Sequence, residues 1–589
     1  MQRVGEPSHE MGQWRDGGWH ESAQRKEGRE AMLTYALNRT ARESLDEQLY
    51  RALRFDIESG VLGAGDRLPS KRVFAKHLGV SVVTVEGAYD QLVAEGYVRA
   101  VPRSGFYVQE IGPNLASFSR ISTSAEVKVP LGDSSGAKSA SCRPEARISG
   151  NDGVEKLEKL ARKGAPFCIA HSEEGLAGVS PGAGRKWLAD FTGATAPEGV
   201  FPYAAWARTL RRVLADESER TVLEASRPQG SPRLRAAIAA HLRGFRGMEV
   251  HPDQIVIGSG AQSLYGLLVQ LLGRDLVYGV EDPGYPRLTR IYESNDVTVR
   301  PIALDGEGPV LESLERARID VLHCTPSHQF PTGITVPVSR RRSLLEWAQS
   351  GVAAPKDGAA AGEARGRSVK ASSARPRYLI EDDFDCEFRM AGRPVPPLAA
   401  LDGAGRVVYA NTFSKTLGGA FRIGYMVLPE ALAERFRDRL GFYACTVGAL
   451  EQLTLARFME SGDYERHVNR QRTRYRRLLS ALIDALAASS AGDHLHFANA
   501  GAGLHFLMEV RGVEGDERGG ATFEERVARR AAIRGVRLAP LGRYRFTGCE
   551  AGWRRPAFMM SFSSVKEETI PEVVGIVSEA VMAEVGCRS

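Results

Sequence analysis

The chain has 589 residues, with 78 Lys and Arg against 72 Asp and Glu, so its formal net charge is only +6. It holds no run of about 18 apolar residues, which excludes a membrane-spanning helix, and its first 30 residues lack the apolar core of a secretory signal. Seven cysteines, odd in number, scattered and without a CxxC pair, fit a reducing cytoplasm and argue against a disulfide framework or a zinc ribbon, and no metal is expected.

Residues 1–33 are polar, 111–185 are rich in Ser, Gly, Ala and charge, and 351–376 are small and charged. Such stretches bury too little apolar surface to offset the entropy of ordering them. They are expected to form a disordered tail, a linker and a low-complexity insertion, with 154–163, VEKLEKLARK, as one short helix inside the linker. What remains is a small domain, 34–110, and a large one, 186–589.

In the small domain, Leu45, Leu49, Leu53 and Ile57 recur every fourth residue and mark one face of a helix over 42–59. A second helix is predicted after Ser70, its N-cap, carrying Val73, Phe74, Ala75 and Leu78 and ending at Gly79, a residue suited to a left-handed cap. Ser81 caps a third helix with Val82, Val85, Ala88, Tyr89, Leu92 and Val93 on it. The segment YVRAVPRSGFYV then reads as a hairpin. Two helices around a tight turn followed by a hairpin form a DNA-reading unit, the third helix entering the major groove and the wing meeting phosphates or the minor groove.

The strings GDRLPSKR (65–72), HLGVS (77–81), TVEGAYDQLVAEGYV (84–98) and RSGFYV (103–108) resemble the GntR-type winged helix-turn-helix family. Within 34–110 ten Lys and Arg match ten Asp and Glu, so binding to double-stranded DNA has to rest on where the cations cluster. Arg67, Lys71, Arg72, Lys76, Arg99 and Arg103 fall on the expected contact surface, with Ser81, Val82, Val83 and Thr84 at the start of the reading helix. The family usually has Arg-Asn where this chain has Val82-Val83. Valine forms no hydrogen bond to a guanine edge but packs on a thymine methyl, so the preferred site should differ from the common one, leaving Thr84 and Arg72 as polar readers.

From residue 222 helices alternate with short β-branched strands, the pattern of an α/β fold with a largely parallel sheet. Residues 254–258, QIVIG, read as a strand, 259–262 as a turn, and Leu264, Leu267, Leu268, Leu271 and Leu272 as the face of a helix whose N-terminus suits an anion. Further strands run into Glu381-Asp382-Asp383-Phe384, into Asn411-Thr412-Phe413-Ser414-Lys415, and into Glu281-Asp282-Pro283-Gly284-Tyr285. Ligands of open α/β sheets sit at strand C-terminal ends. These strand ends offer acid, lysine and aromatic groups, with Arg422 seven residues past Lys415.

This constellation resembles the fold-type I aminotransferases. The wording GVFPYAAWARTLRRVL, EDPGYPRL, TPSHQFPTG, EDDFDCEF and NTFSKTLGGAFRIGY is similar to the aminotransferase-like domain of the MocR subfamily of GntR regulators. The resemblance implies pyridoxal 5'-phosphate held as a Schiff base on Lys415, with Asp382, rather than its neighbour Asp383, on the pyridine nitrogen. Thr412, Arg422 and the amides of Gly260 and Ala261 would hold the phosphate, and Tyr285 would stack on the ring. Arg287, and more loosely Arg543, would take the carboxylate of an amino-acid effector; His328 and Gln329 would line the pocket near the ring oxygen, and His323 would be structural. Phe384 stands where the subfamily has a tyrosine that bonds that oxygen, a loss of about 1 kcal/mol. The expected function is a cytoplasmic, homodimeric transcriptional regulator that senses the cofactor or an amino compound. The alternatives are a working aminotransferase with an accessory DNA-binding head, which Phe384 disfavours, and a regulator without cofactor.

Overall fold

The computed structural model describes residues 33–35, 37–38, 44–101, 104–109, 186–194, 198–351, 375–390, 395–513, 517–518, 521–546 and 555–586. The expected linker with its short helix, most of the tail and insertion, and Arg103 in the wing lie outside the described residues.

The small domain is built from helices α1 (Leu45–Glu58), α2 (Lys71–Leu78) and α3 (Val82–Ala94). A three-stranded antiparallel sheet of β1 (Arg67–Leu68), β2 (Val98–Val101) and β3 (Gly105–Val108) completes it, in the order β1-β3-β2. Local chemistry accounts for the helix ends. The Ser70 hydroxyl accepts the Val73 N–H at 3.4 Å and the Ser81 hydroxyl accepts the Thr84 N–H at 3.1 Å. Gly79 closes α2 at φ 66°, a conformation that costs a side chain energy but glycine nothing. Leu49, Leu53 and Ile57 of α1 pack on Phe74, Val85, Tyr89 and Leu92 in one core. β1 had no sequence signal: two residues are too few for any periodicity.

The large domain is organised on an eight-stranded sheet. In chain order its strands are β4 (Ile255–Gly258), β5 (Val277–Asp282), β6 (Thr298–Asp305), β7 (Gly308–Pro309), β8 (Val321–Cys324), β9 (Tyr378–Asp382), β10 (Val407–Thr412) and β11 (Gly424–Val427). Their spatial order is β4-β11-β10-β9-β8-β5-β6-β7. Pairing is parallel from β10 through β9, β8 and β5 to β6; β11 and β7 run against their neighbours. The continuous apolar strands, such as Leu379-Ile380 and Val407-Val408, are buried, as sheets covered on both faces require. In the β9–β10 register Asp382 lies opposite Ala410, so the segments following both strands emerge at the same end of the sheet.

A second, antiparallel sheet follows the 25-residue helix Asp463–Ala487: β12 (Leu495–Ala498), β13 (His505–Val510), β14 (Ala539–Pro540) and β15 (Ala557–Ser561), in the order β12-β13-β15-β14. Its core is separate from that of the first sheet, built around Phe506, Met508, Phe523, Phe558 and Val577. The start of the large domain returns to this layer, because Ala189–Asp190 pairs in parallel with Val536–Arg537. Among the described residues, no helix is long and apolar enough to cross a membrane.

Candidate functional site

A cavity of about 270 Å³ opens at the C-terminal ends of β9 and β10, where the two sheets meet. Lys415 reaches it from the short helix Ser414–Leu417 directly after β10. Desolvation pushes the Lys415 amine below the ordinary lysine range, although the Asp385 carboxylate works the other way. Asp382, the last residue of β9, lines the same cavity. Its Oδ2 accepts the Tyr265 hydroxyl at 2.6 Å, while its Oδ1 is buried with no hydrogen-bond partner. Alternation along the chain turns Asp383 the other way. Its carboxylate is buried in a 2.8 Å ion pair with Arg246 and accepts the Tyr409 hydroxyl at 2.8 Å.

Opposite lies the N-terminus of α4 (Ala261–Leu272), with Gly260 as its cap. Gly260 adopts φ 83° and ψ 174°, and a Cβ on it would stand 2.7 Å from the Arg422 guanidinium, so the close approach requires glycine. Ala261, Gln262, Thr412, Ser414 and Arg422 line this end. Unpaired N–H groups, the helix dipole and a guanidinium make it an anion cradle.

Tyr285 lines the cavity, 43 % exposed, and meets Phe330 edge to face with ring centroids 5.7 Å apart. Phe384 also faces in, its ring centroid 5.9 Å from the Lys415 amine. Two of the expected lining residues are instead behind the wall. His328 Nδ1 donates to the Asp385 carboxylate at 3.0 Å, and the Gln329 amide donates to Glu281 at 3.1 Å and to the Pro283 carbonyl at 3.0 Å. Their places at the surface are taken by Asp385 and His505. His328, Asp385 and His505 gather within 4.8 Å of one another, and Asp385 also accepts the Leu504 N–H at 3.1 Å. His323 is buried, as a structural histidine should be, yet it sits behind Asp382, with Nδ1 at 2.7 Å from the Tyr292 hydroxyl and Nε2 at 3.8 Å from the Asp382 carboxylate.

The two arginines expected to hold an effector do not line the cavity. Arg287 is exposed and hydrogen-bonds the Tyr285 hydroxyl. Arg543 lies half-buried in the turn Leu541–Tyr544, whose Tyr544 ring packs on Phe330 at 5.3 Å. The sequence reading missed Tyr265, Ile291, Thr325, Phe330 and Asp385, which lie on the elements of the first sheet, and a second group, Thr192, Gly193, Leu504, His505, Met559 and Ser561. The second group comes from the second sheet or the start of the domain, and no motif spacing links it to Lys415.

In the head, Val83 is 73 % exposed and Val82 43 % exposed on the first turn of α3, beside Ser81 and Thr84, whose hydroxyls are 2.8 Å apart. Arg72 and Arg99 are exposed. Lys71 is engaged within the head, at 2.9 Å from Glu86 and 3.2 Å from Asp90. Arg67 donates to the Ser104 carbonyl at 2.7 Å and so ties the wing to β1.

The two halves define a class: a winged-helix DNA-binding head joined to an aminotransferase fold. Residues 45–108 match the family of bacterial regulatory proteins of gntR type, and residues 197–516 match the aminotransferase class I and II family. The chain is 31 % identical to the uncharacterised HTH-type transcriptional regulator YhdI of Bacillus subtilis (strain 168), over 86 % of this chain and 90 % of that one. It is 29 % identical to the probable rhizopine catabolism regulatory protein MocR of Rhizobium meliloti, over 93 % and 96 %. The same identity, over 94 % and 99 %, relates it to the pyridoxine biosynthesis transcriptional regulator PdxR of Corynebacterium glutamicum. The large domain has the fold of Pyrococcus horikoshii kynurenine aminotransferase (TM-score 0.57, 22 % identity, 73 % of this chain and 99 % of that one). It is also similar to LysN, the α-aminoadipate aminotransferase of Thermus thermophilus solved with N-(5'-phosphopyridoxyl)-L-leucine (TM-score 0.55, 22 % identity, 73 % and 99 %). The chain belongs to the MocR-type subfamily of GntR transcriptional regulators.

Proposed function

We propose that the protein is a cytoplasmic, homodimeric transcriptional regulator that binds operator DNA through its head. In this reading its large domain holds pyridoxal 5'-phosphate through Lys415 and senses the cofactor or an amino compound. The observation that carries this reading is the orphaned Asp382 Oδ1, buried in the same cavity as Lys415 and opposite the anion cradle at Gly260. A buried carboxylate oxygen without a partner is costly unless a ligand donor satisfies it. A ring N–H is such a donor, and a phosphate is the anion that a helix N-terminus with a nearby arginine accepts. The residues present therefore fit the cofactor.

When bound, the cofactor supplies an electrophilic carbon for amines and a ring able to take up electrons. Lys415 would hold it by its desolvated amine and Asp382 would keep the ring nitrogen protonated, while the Tyr265 hydroxyl fixes that carboxylate. Gly260, Ala261, Thr412 and Arg422 would hold the phosphate, Tyr285 would stack on the ring, and Phe384 lines the cavity beside Lys415. Arg287 and Arg543, just outside the cavity, are the groups able to swing onto an effector carboxylate. A ligand amine competing with Lys415 shifts the protein between states only by its differential affinity for them.

Absorbance titration of the purified protein with pyridoxal 5'-phosphate tests the reading. Wild type should develop the visible band of a lysine-bound cofactor and Lys415→Ala should not; equal spectra would refute it. An amino-acid panel then separates sensor from enzyme. Rapid conversion to the amine form of the cofactor, with release of a keto acid, would make the protein an aminotransferase.

A further inference from the structure

Gly503, Leu504 and His505 bring the start of β13 against the pair His328–Asp385. Gly503 lies at φ 65°, and a Cβ on it would stand 1.8 Å from His328 Nδ1 and 2.5 Å from Asp385 Oδ2, so the approach requires glycine. The Leu504 N–H then donates to Asp385 Oδ2 at 3.1 Å. His505, the first residue of β13, lays its ring on that of His328 with centroids 3.9 Å apart and meets Phe330 edge to face at 5.5 Å. One nitrogen of each imidazole and one Asp385 oxygen lie within 4.8 Å of one another, all in buried residues.

Hydrogen bonding decides which His505 nitrogen is left for the cavity. Its Nε2 lies 3.3 Å from the Gln329 carbonyl, which accepts and cannot donate, so Nε2 carries the proton and Nδ1 a lone pair. Nδ1 has no hydrogen-bond partner among the described residues, and His505 lines the cavity that holds Lys415. Burial keeps the ring neutral by pushing its pKa well below the ordinary histidine range, and His328 and Lys415 act in the same direction. The carboxylates of the cavity wall are engaged. Asp382 accepts the Tyr265 hydroxyl and, in the cofactor reading, faces the ring nitrogen, while Asp385 accepts from His328 and Leu504. The wall's hydroxyl groups are far weaker bases than an imidazole.

We propose that His505 is an acid–base site for primary amines: it takes the proton of an entering ammonium ion and passes it to the Lys415 nitrogen that the amine displaces. The inference rests on the reading of Lys415 as the residue that holds the cofactor. At neutral pH an alkylamine arrives as its ammonium ion, with no lone pair to offer the cofactor carbon. Transfer to His505 breaks one N–H bond of the ligand, leaves the electron pair on the ligand nitrogen and forms Nδ1–H. Asp385, close to both rings, offsets the imidazolium charge. The freed pair bonds the cofactor carbon, and the bond from that carbon to Lys415 breaks with its pair on the lysine nitrogen. His505 returns its proton there and is neutral again, so protons and charge balance. The desolvation that lowers the Lys415 pKa also makes an ammonium ion entering the cavity a stronger acid, which narrows the gap between donor and acceptor.

Two amines test the site on full-length protein loaded with pyridoxal 5'-phosphate, the loading being measured first from the visible band. Stopped-flow absorbance at neutral pH follows displacement of Lys415 by n-propylamine, which arrives protonated, and by methoxyamine, which is unprotonated at that pH and needs no base. His505→Gln keeps an amide able to donate to the Gln329 carbonyl but accepts no proton; His505→Asn is the second variant should the first not fold. With n-propylamine the variant should react about 100-fold or more slowly than wild type, the worth of a general base. With methoxyamine the two proteins should react at rates within about twofold of each other, since no proton has to be removed. A purely structural role for His505 slows both amines alike, and that result overturns the proposal. So does a variant that reacts with n-propylamine at the wild-type rate. Absence of the cofactor band in wild type is a separate result: it refutes the cofactor reading and the inference with it.

Discussion

Gly260→Ala concentrates the argument about the anion cradle in one methyl group. Gly260 sits at φ 83° and ψ 174°, a region essentially restricted to glycine, where a side chain costs about 1–3 kcal/mol. The new Cβ would also stand 2.7 Å from Arg422 Nη2 and 2.9 Å from its Cζ. Because these atoms end a flexible side chain, the guanidinium retreats rather than the backbone. A displaced Arg422 forfeits a charge-assisted hydrogen bond to the phosphate, about 1.5–3 kcal/mol, which is roughly a 10- to 150-fold weaker cofactor Kd. Absorbance titration measures the Kd, and denaturant unfolding of the cofactor-free protein measures the strain separately. Gly419→Ala, where a Cβ meets nothing within 4 Å, is the control and should leave both unchanged. A Gly260→Ala protein that loads cofactor with the wild-type Kd would refute the placement of the phosphate between α4 and Arg422.

Phe384→Tyr adds a hydroxyl inside the cavity near Lys415 and should tighten cofactor binding about fivefold, the worth of one hydrogen bond of about 1 kcal/mol; an unchanged or weaker Kd counts against the ring oxygen lying there. Val83→Asn replaces an exposed apolar tip by an amide able to read a base edge, so selection from random duplexes should show one position altered with a preference of about 1–3 kcal/mol, and an identical consensus would remove Val83 from the interface. Arg72→Gln should lower the slope of log Kobs against log salt by about 0.9, whereas Lys71→Gln, whose charge Glu86 and Asp90 already match, should lower it less; equal slopes would contradict that pairing. Burial depresses the Lys415 pKa, so between its folded and unfolded values the unfolded chain binds more protons and the stability of cofactor-free protein rises with pH. Lys415→Met should flatten that rise, and parallel stability–pH curves for the two proteins would show that the amine is not desolvated.

Features encoded within a few residues were legible before any coordinates. The Ser70 and Ser81 caps and the Gly79 stop depend on hydrogen bonds spanning three to five residues, so the motif and the geometry coincide. Lys415, Asp382 and the Gly260 turn were legible for a related reason: each ends or closely follows a buried strand, and strands running the same way deliver their ends to one edge of the sheet. His328 and Gln329 carried the same kind of local signal and were misplaced, because which side of a wall a polar residue faces depends on partners such as Asp385 and Glu281, 57 and 48 residues away.

The small net charge and the even balance of the head's charges said only that its DNA contacts depend on arrangement. The structure then withdrew Lys71 into an internal pair and left Arg72 and Arg99 exposed. By itself the sequence determined the two domains, the strand-end lysine and acid, and the valines at the tip of the reading helix, since all rest on short-range periodicity and turn chemistry. Only tertiary structure decided that Arg246 and Tyr409 hold Asp383 away from the cavity, that His505 and Met559 close it from a second sheet, and that the end of the reading helix meets Val338 of the large domain. Those facts come from packing between residues far apart in the chain, and packing at that range leaves no spacing in the sequence to be read.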